Sequence, residues 1–457
     1  MGYVIAAIVL LLLPVILFRP YVGAVTYTVL AYLRPQDLAA DGVADKFRLS
    51  LMVIAAMSAG LAIGWVRRKE RPVVGIPWYG FVAAMIVAMF VASRTAIDVG
   101  TSTGAWLRFV QMLVGVALTV MLCGTPDRLR GVASAIALSL GAMAIYALAF
   151  PHWDDGRLSG GGGKLADSND FALALDMALP LLVFLRRHEA RRWLRWALAV
   201  PIPFVLVAIV LTYSRGGFLA LAVVGIGWIF FSPGRMVRLL IAPVAVLLFL
   251  AVAPASYLDR LTTIDNYSHD QSALDRLSSW RVAQRIFESH PWTGVGPGNL
   301  IKAYDRYTLD FQKPHVAHNA WLQIIADSGL GATIVFSLLI VATLFSAQRL
   351  GFKARAMRRR LLTRGPEGRA QADRIAWIDD YAQGISVSLA AFVVGAQFLS
   401  KDTFDLVYLL TGLAGVLTML GWRELQLERK TIVIRRTVRV APRQSKPIPV
   451  TVPLLTR

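Results

Sequence analysis

The chain has 457 residues, 56% of them hydrophobic and 17% charged, and its mean hydropathy is +0.57. The apolar residues fall in blocks rather than in the alternation of a soluble core, which excludes an ordinary globular domain. A formal charge of +20 invites a nucleic-acid partner, but membrane proteins hold Lys and Arg in their cytoplasmic loops, and the charge here sits in such loops, so no nucleic acid is expected.

From the N-terminus, apolar runs predict spans near 3–18, 21–33, 48–66, 77–93, 105–123, 129–150, 168–186, 193–212, 216–232, 236–253, 319–346, 381–399 and 404–421. Crossing the hydrocarbon layer takes ~20 apolar residues, a little fewer with interfacial anchoring. The first run has no basic stretch before it, and Phe18-Arg19-Pro20 is a poor cleavage site, so it reads as a span rather than a leader. Because the first two runs are short, twelve or thirteen helices are expected. The class is an all-α polytopic membrane protein with one large periplasmic loop containing amphipathic helices. The single cysteine, Cys123, permits no internal disulfide and no cysteine metal site.

Every second connection is basic: RRKER (67–71), PDRLR (126–130), RRHEARRWLR (186–195) and GRMVR (234–238), with a further basic stretch at 347–380 and a basic tail at 422–457. The positive-inside rule puts these in the cytoplasm, where they also meet anionic lipid headgroups. The outer face then receives 94–104, the Gly-rich 151–167, TYSRGG (212–217), the long loop 254–318 and SKDTFD (400–405), and with them five of the six histidines. The resulting division is N-terminal transmembrane helices over 1–253, a periplasmic loop over 254–318, C-terminal transmembrane helices over 319–421 with a cytoplasmic loop at 347–380, and a cytoplasmic tail over 422–457. In the long loop, Leu274, Leu277, Trp280, Val282 and Ile286 recur at roughly helical spacing, predicting an amphipathic helix on the membrane surface, followed by a Gly/Pro-punctuated turn, TGVGPGN (293–299). SGGGGK (159–164) reads as a flexible outer loop, since it lacks the spacing and preceding strand of a phosphate loop.

Three outer features carry candidate chemistry: Arg215 in TYSRGG, Arg276 and Arg281 on the loop helix, and His318 in PHVAHNAWLQ. Each has a plain structural reading. Arg215 can snorkel to headgroups, the loop arginines can decorate a wet helix face, and His318 can precede a helix capped by Asn319. Together they say more. Guanidinium pairs suit phosphate oxygens and keep their charge, while a histidine takes a proton from a hydroxyl near neutral pH. Those are the two requirements of glycosyl transfer from a polyprenyl diphosphate. A metal alternative rests on Asp154, Asp155, Asp167 and Asp170, but two arginines already bring the charge a cation would supply, so neither metal nor other cofactor is expected. Asp170 and Asp176 read instead as groups that orient the arginines or bind sugar hydroxyls.

The run RLSSWRVAQRIFESHPWTGVGPGN, followed by HNAWLQIIADSGLGA, resembles the signature region of the O-antigen ligase, O-antigen polymerase and O-linking oligosaccharyltransferase superfamily. The resemblance covers about a quarter of the chain closely. FRPYVGAVTYTVLAYLRPQDL (18–38) and DSNDFALALDMALPL (167–181) are similar to the O-glycosylation ligases associated with exosortase systems. The resemblance implies a metal-independent, inverting transfer of a glycan from undecaprenyl diphosphate to an acceptor hydroxyl on a lipid, glycan or protein, at the periplasmic face of the bacterial inner membrane. Arg215 and Arg276 would hold the diphosphate and His318 would assist the hydroxyl, with Arg281, Asp170, Asn319, Tyr213 and Gly216 as further substrate contacts. The family's acidic position is the shorter Asp327 here. A polymerase of the same superfamily stays open as an alternative. A transporter or flippase fits less well, since the charges gather at outer helix ends and no repeat is visible.

Overall fold

The computed structural model describes residues 2–35, 48–67, 70–232, 271–309, 314–400 and 403–440. The helices run in the order α1 (Gly2–Phe18), α2 (Pro20–Tyr32), α3 (Leu49–Val66), α4 (Trp78–Arg94), α5 (Val99–Leu122), α6 (Pro126–Ala149), α7 (Ser168–Leu185), α8 (Arg192–Ala199), α9 (Pro201–Leu211), α10 (Arg215–Phe231), α11 (Gln271–Ser289), α12 (Leu300–Tyr307), α13 (Ala320–Leu362), α14 (Gly365–Gly395) and α15 (Asp405–Val440). Among the described residues, eight spans are long and apolar enough to cross a membrane, α8 and α9 counting as one, and α1, α4 and α10 are apolar but shorter. The chain is therefore an all-α polytopic membrane protein. The predicted span at 236–253 lies outside the described residues, as do 254–270 of the long loop and 441–457 of the tail.

Local sequence sets the helix starts. Asp98, Thr125, Asp167, Ser214 and Asn319 each place a side-chain oxygen on a free amide of the first turn, the usual way a short polar residue starts a helix. α7 lies at the heart of the bundle: every residue from Phe171 to Leu182 is buried, Asp176 included, so the helix is apolar on all sides. α14 packs along it, with Gly395 against Leu173 and Ser388 Oγ donating to Met177 O at 2.6 Å. Small residues at such crossings let backbones approach closely, which drives helix association in lipid.

The structure departs from the sequence reading in two elements. The basic stretch 347–380 is no loop: α13 runs on to Leu362, turns at Thr363 and Arg364, and returns as α14. Hydropathy ends a span where charge begins, but Ala, Arg, Leu and Gln keep a helix going, and 43 residues reach ~65 Å against a ~30 Å hydrocarbon core. Arg355–Asp379 at 3.0 Å and Gln348–Gln383 at 3.0 Å join the two helices. The Gly-rich stretch 151–167, in turn, opens with a two-stranded antiparallel hairpin, β1 (His152–Asp154) and β2 (Arg157–Ser159), the one strand pairing among the described residues.

α13 also breaks once, at Gly329 (φ 74°, ψ −174°). The break frees backbone groups that the segment after α11 takes up: Leu330 N donates to Pro291 O at 2.8 Å, and Val295 N donates to Ala326 O at 2.9 Å. A Cβ on Gly329 would sit 2.2 Å from Trp292 O, at a φ that costs an L side chain on the order of 1–3 kcal/mol by itself. Gly329→Ala is therefore expected to lower the unfolding temperature of the purified protein by a few degrees or more. Gly331→Ala, two residues on with nothing within 4 Å of the added carbon, is expected to leave it unchanged or raised. Equal melting curves for the two variants would contradict this account of the break.

Candidate active site

The connections assemble at two ends. At one end the basic segments meet: Arg128 grips Glu70 at 2.7 and 3.0 Å, Arg130 donates to Tyr381 OH at 2.8 Å, and Arg187 and His188 share Asp380. At the other end the five segments read as outer touch one another. Ile97 N donates to Val295 O, Ser102 Oγ to Pro297 O, and Asn299 Nδ2 to Asp98 O. Arg157 of β2 donates to Thr212 O at 2.9 Å and to Asn169 Oδ1 at 2.6 Å, tying the hairpin both to the TYSRGG turn and to the start of α7. Nothing in the sequence pattern singled out Arg157, because its partners lie 55 and 12 residues away.

His318 sits in this end on a scaffold that over-determines its backbone. It is half-buried at φ +46°, a left-handed conformation uncommon for a side chain of this size. Its amide donates to Ser400 Oγ at 2.7 Å. The residue before it, Ala317, is fixed at both polar groups, donating to Gln323 Oε1 at 3.1 Å and accepting from Trp280 Nε1 at 2.8 Å. The residue after it, Asn319, accepts the Trp321 and Leu322 amides and donates to Gln397 Oε1 at 3.1 Å. Strain held this way is a mark of functional sites. Burial first, and then the charge of Arg276, holds the His318 ring below the ordinary histidine pKa, while Asp167 and Asp275 pull the other way.

The two arginines approach from different elements. Arg276 lies on α11 one turn before Trp280, beside the Asp275–His315 pair at 3.7 Å. Arg215, half-buried, opens α10 directly after Tyr213, which is itself left-handed at φ +46°. The next residue, Gly216, packs on Phe398, where a Cβ would come within 3.0 Å, and Phe398 is two residues from the serine that holds His318. Arg215, Arg276 and His318 are thus joined through the 396–400 segment and Trp280.

The remaining candidates divide. Asp170, in the first turn of α7, is half-buried, its amide on Asp167 Oδ1. Gly216 faces Phe398 and Gly217 faces Ala172, so these glycines serve helix packing rather than the approach of a ligand. Asn319 spends its side chain on capping α13. Asp176 is buried within α7, out of reach of a sugar hydroxyl. Arg281, five residues on from Arg276 and so about 140° around the helix, lines an exposed groove with Leu277, Phe287 and Leu322. Leu277 is exposed as well, and the buried face of α11 is Val282, Ala283 and Ile286, which form a small core of their own with Tyr304 and Val295.

Asp327 proves to be architectural. Its Oδ1 accepts the Leu300 amide at 3.0 Å at the start of α12, and Oδ2 accepts Gln323 Nε2 at 2.8 Å. The same glutamine holds Ala317, so one carboxylate links the TGVGPGN turn to the histidine segment. Among the described residues no three His, Cys, Asp or Glu side chains form a metal-holding group.

Fold and site together define a multi-pass membrane protein with a cluster of charged and conformationally strained residues at one end of its helix bundle. Residues 200–337, from α9 through the break in α13, match the O-antigen ligase family. That match supports the superfamily, an enzyme class of the glycosyltransferase and ligase type, and it encloses Arg215, Arg276 and His318; it does not reach the exosortase-associated subgroup. No curated protein matches the chain.

Proposed function

We propose that the chain transfers a glycan from undecaprenyl diphosphate to an acceptor hydroxyl, with inversion and without a metal, at the periplasmic face of the bacterial inner membrane. The observation that carries this reading is His318, strained, half-buried, set in the field of Arg276 and linked through Ser400 and Phe398 to the turn that bears Arg215. The clustering of basic loops at the opposite end supports this sidedness, with that end and the C-terminus cytoplasmic under the positive-inside rule.

In the proposed step the acceptor oxygen attacks the anomeric carbon as the bond to the diphosphate breaks on the opposite side. The bonding pair leaves on the bridging oxygen, the acceptor's proton passes to the His318 ring, and Arg215 and Arg276 stabilise the departing charge. Asp167, exposed at the cap of α7, raises the proton affinity of that ring. The product test is direct: the purified protein, given lipid-linked glycan and a separate acceptor, is expected to yield the conjugate. Products consisting only of lengthened glycan would instead make it a polymerase.

A pH dependence follows. The base must be neutral, and a lowered pKa keeps it neutral to lower pH, so the acid limb of kcat/KM is expected below pH ~6.5. Arg276→Gln removes a neighbour that lowers the pKa and is expected to move the limb upward, while burial still acts. A limb that stays in place would remove Arg276 from the surroundings of His318.

A further inference from the structure

A further cation at this end, Arg108, takes no part in the reading above. Arg108 lies nine residues into α5, about 14 Å from the helix start, within a candidate membrane span. Its side chain is exposed, and among the described residues it has no hydrogen-bond or ion-pair partner. It turns back over Gly104, with NH1 3.5 Å from where a Cβ would stand, toward the end of α5 that Asp98 caps. An arginine at such depth is expensive and marks a functional site by default.

The guanidinium opens into a cavity of about 350 Å³ walled also by Phe109, Met112, Gln323, Asp327 and Ser400. Neither Arg215 nor Arg276 lines it. Ser400 is the residue that accepts the His318 amide, and Gln323 holds Ala317, so the cavity adjoins the histidine segment from the side of α5. The carboxylate in its wall makes no ion pair with Arg108: the Asp327 oxygens accept from Leu300 N and Gln323 Nε2. The result is a mainly apolar cavity next to the histidine segment, with a fixed positive charge in its wall that makes no ion pair among the described residues.

We propose that this cavity is the acceptor subsite and that Arg108 binds an anionic group, a phosphate or carboxylate, on the acceptor. The inference rests on the transfer reading in one respect: an inverting attack needs the acceptor on the opposite side from the departing diphosphate, and the cavity lies apart from both diphosphate arginines. A planar guanidinium at a fixed depth selects acceptors by the position of that anionic group relative to the attacking hydroxyl.

The test uses two synthetic lipid-anchored disaccharides differing only in one phosphate monoester. In transfer assays with undecaprenyl-diphosphate glycan, the wild-type protein is expected to show a KM for the phosphorylated probe roughly 10-fold or more below that for the neutral one, as one charge-assisted contact would give. Arg108→Gln collapses that ratio and Arg108→Lys restores part of it. A ratio unchanged in Arg108→Gln, or an equal loss on both probes, overturns the proposal. Thermal stabilisation by the phosphorylated probe in the absence of donor gives a readout independent of catalysis: it is expected in the wild type and lost in Arg108→Gln. Arg108-dependent stabilisation without any transfer would keep the anion site while removing the transferase reading. Equal stabilisation by phosphatidylglycerol would make the cavity a lipid headgroup site and overturn its role in acceptor binding.

Discussion

Arg215→Ala is expected to lower kcat for glycan transfer by about 100- to 1,000-fold, the usual cost of removing one fixed donor from developing charge. The argument starts from position. Arg215 is the first residue of α10, behind a capping serine and a left-handed tyrosine, so its backbone is set before any substrate arrives. Gly216 and Gly217 press that turn onto Phe398 and Ala172, fixing the backbone from which the guanidinium projects. Lysine would restore the charge but not the planar fork that meets two phosphate oxygens together, so Arg215→Lys is expected to recover only part of the rate. Full activity in Arg215→Ala, with an unchanged melting temperature, would detach this turn from the chemistry.

Replacement of His318 should cost about 100- to 10,000-fold, the range for a positioned general base. Alanine is an ambiguous probe here because the φ of +46° penalises most side chains. Asparagine tolerates the left-handed region and retains a polar side chain, yet it cannot take up a proton. His318→Asn is therefore expected to fold as the wild type does and to lose rate, with kcat falling far more than KM rises. A variant that keeps its rate would assign the histidine a purely structural place between Ser400 and Asn319.

The sequence made the two sets of connections legible because charge is written along the chain: alternating basic loops separate them, and among the described residues the structure brings each set together. It also made one cap legible, since Asn319 acts on amides two and three residues away. What it hid depends on distant partners. Ser400 holds His318, and Gln323, Trp280 and Gln397 hold its neighbours Ala317 and Asn319, through hydrogen bonds that no local sequence pattern signals. Arg108 was absorbed into the apolar run 105–123, where hydropathy averages a charge away. The glycines of SRGG drew a ligand reading because a bare backbone admits a substrate, but it equally admits a neighbouring helix, and Phe398 occupies the space. The helical extensions of α13 and α14 escaped because the hydropathy pattern reports where lipid ends, while helix propensity continues through the charged turns.

Pairing of two products gives the most direct test. Purified protein with undecaprenyl-diphosphate-linked glycan and a separate hydroxyl acceptor should release undecaprenyl diphosphate and form glycan–acceptor conjugate in equal amounts, both abolished in His318→Asn. Donor that moves between compartments with its diphosphate bond intact, at a rate His318→Asn leaves untouched, would contradict the account and turn the protein into a carrier.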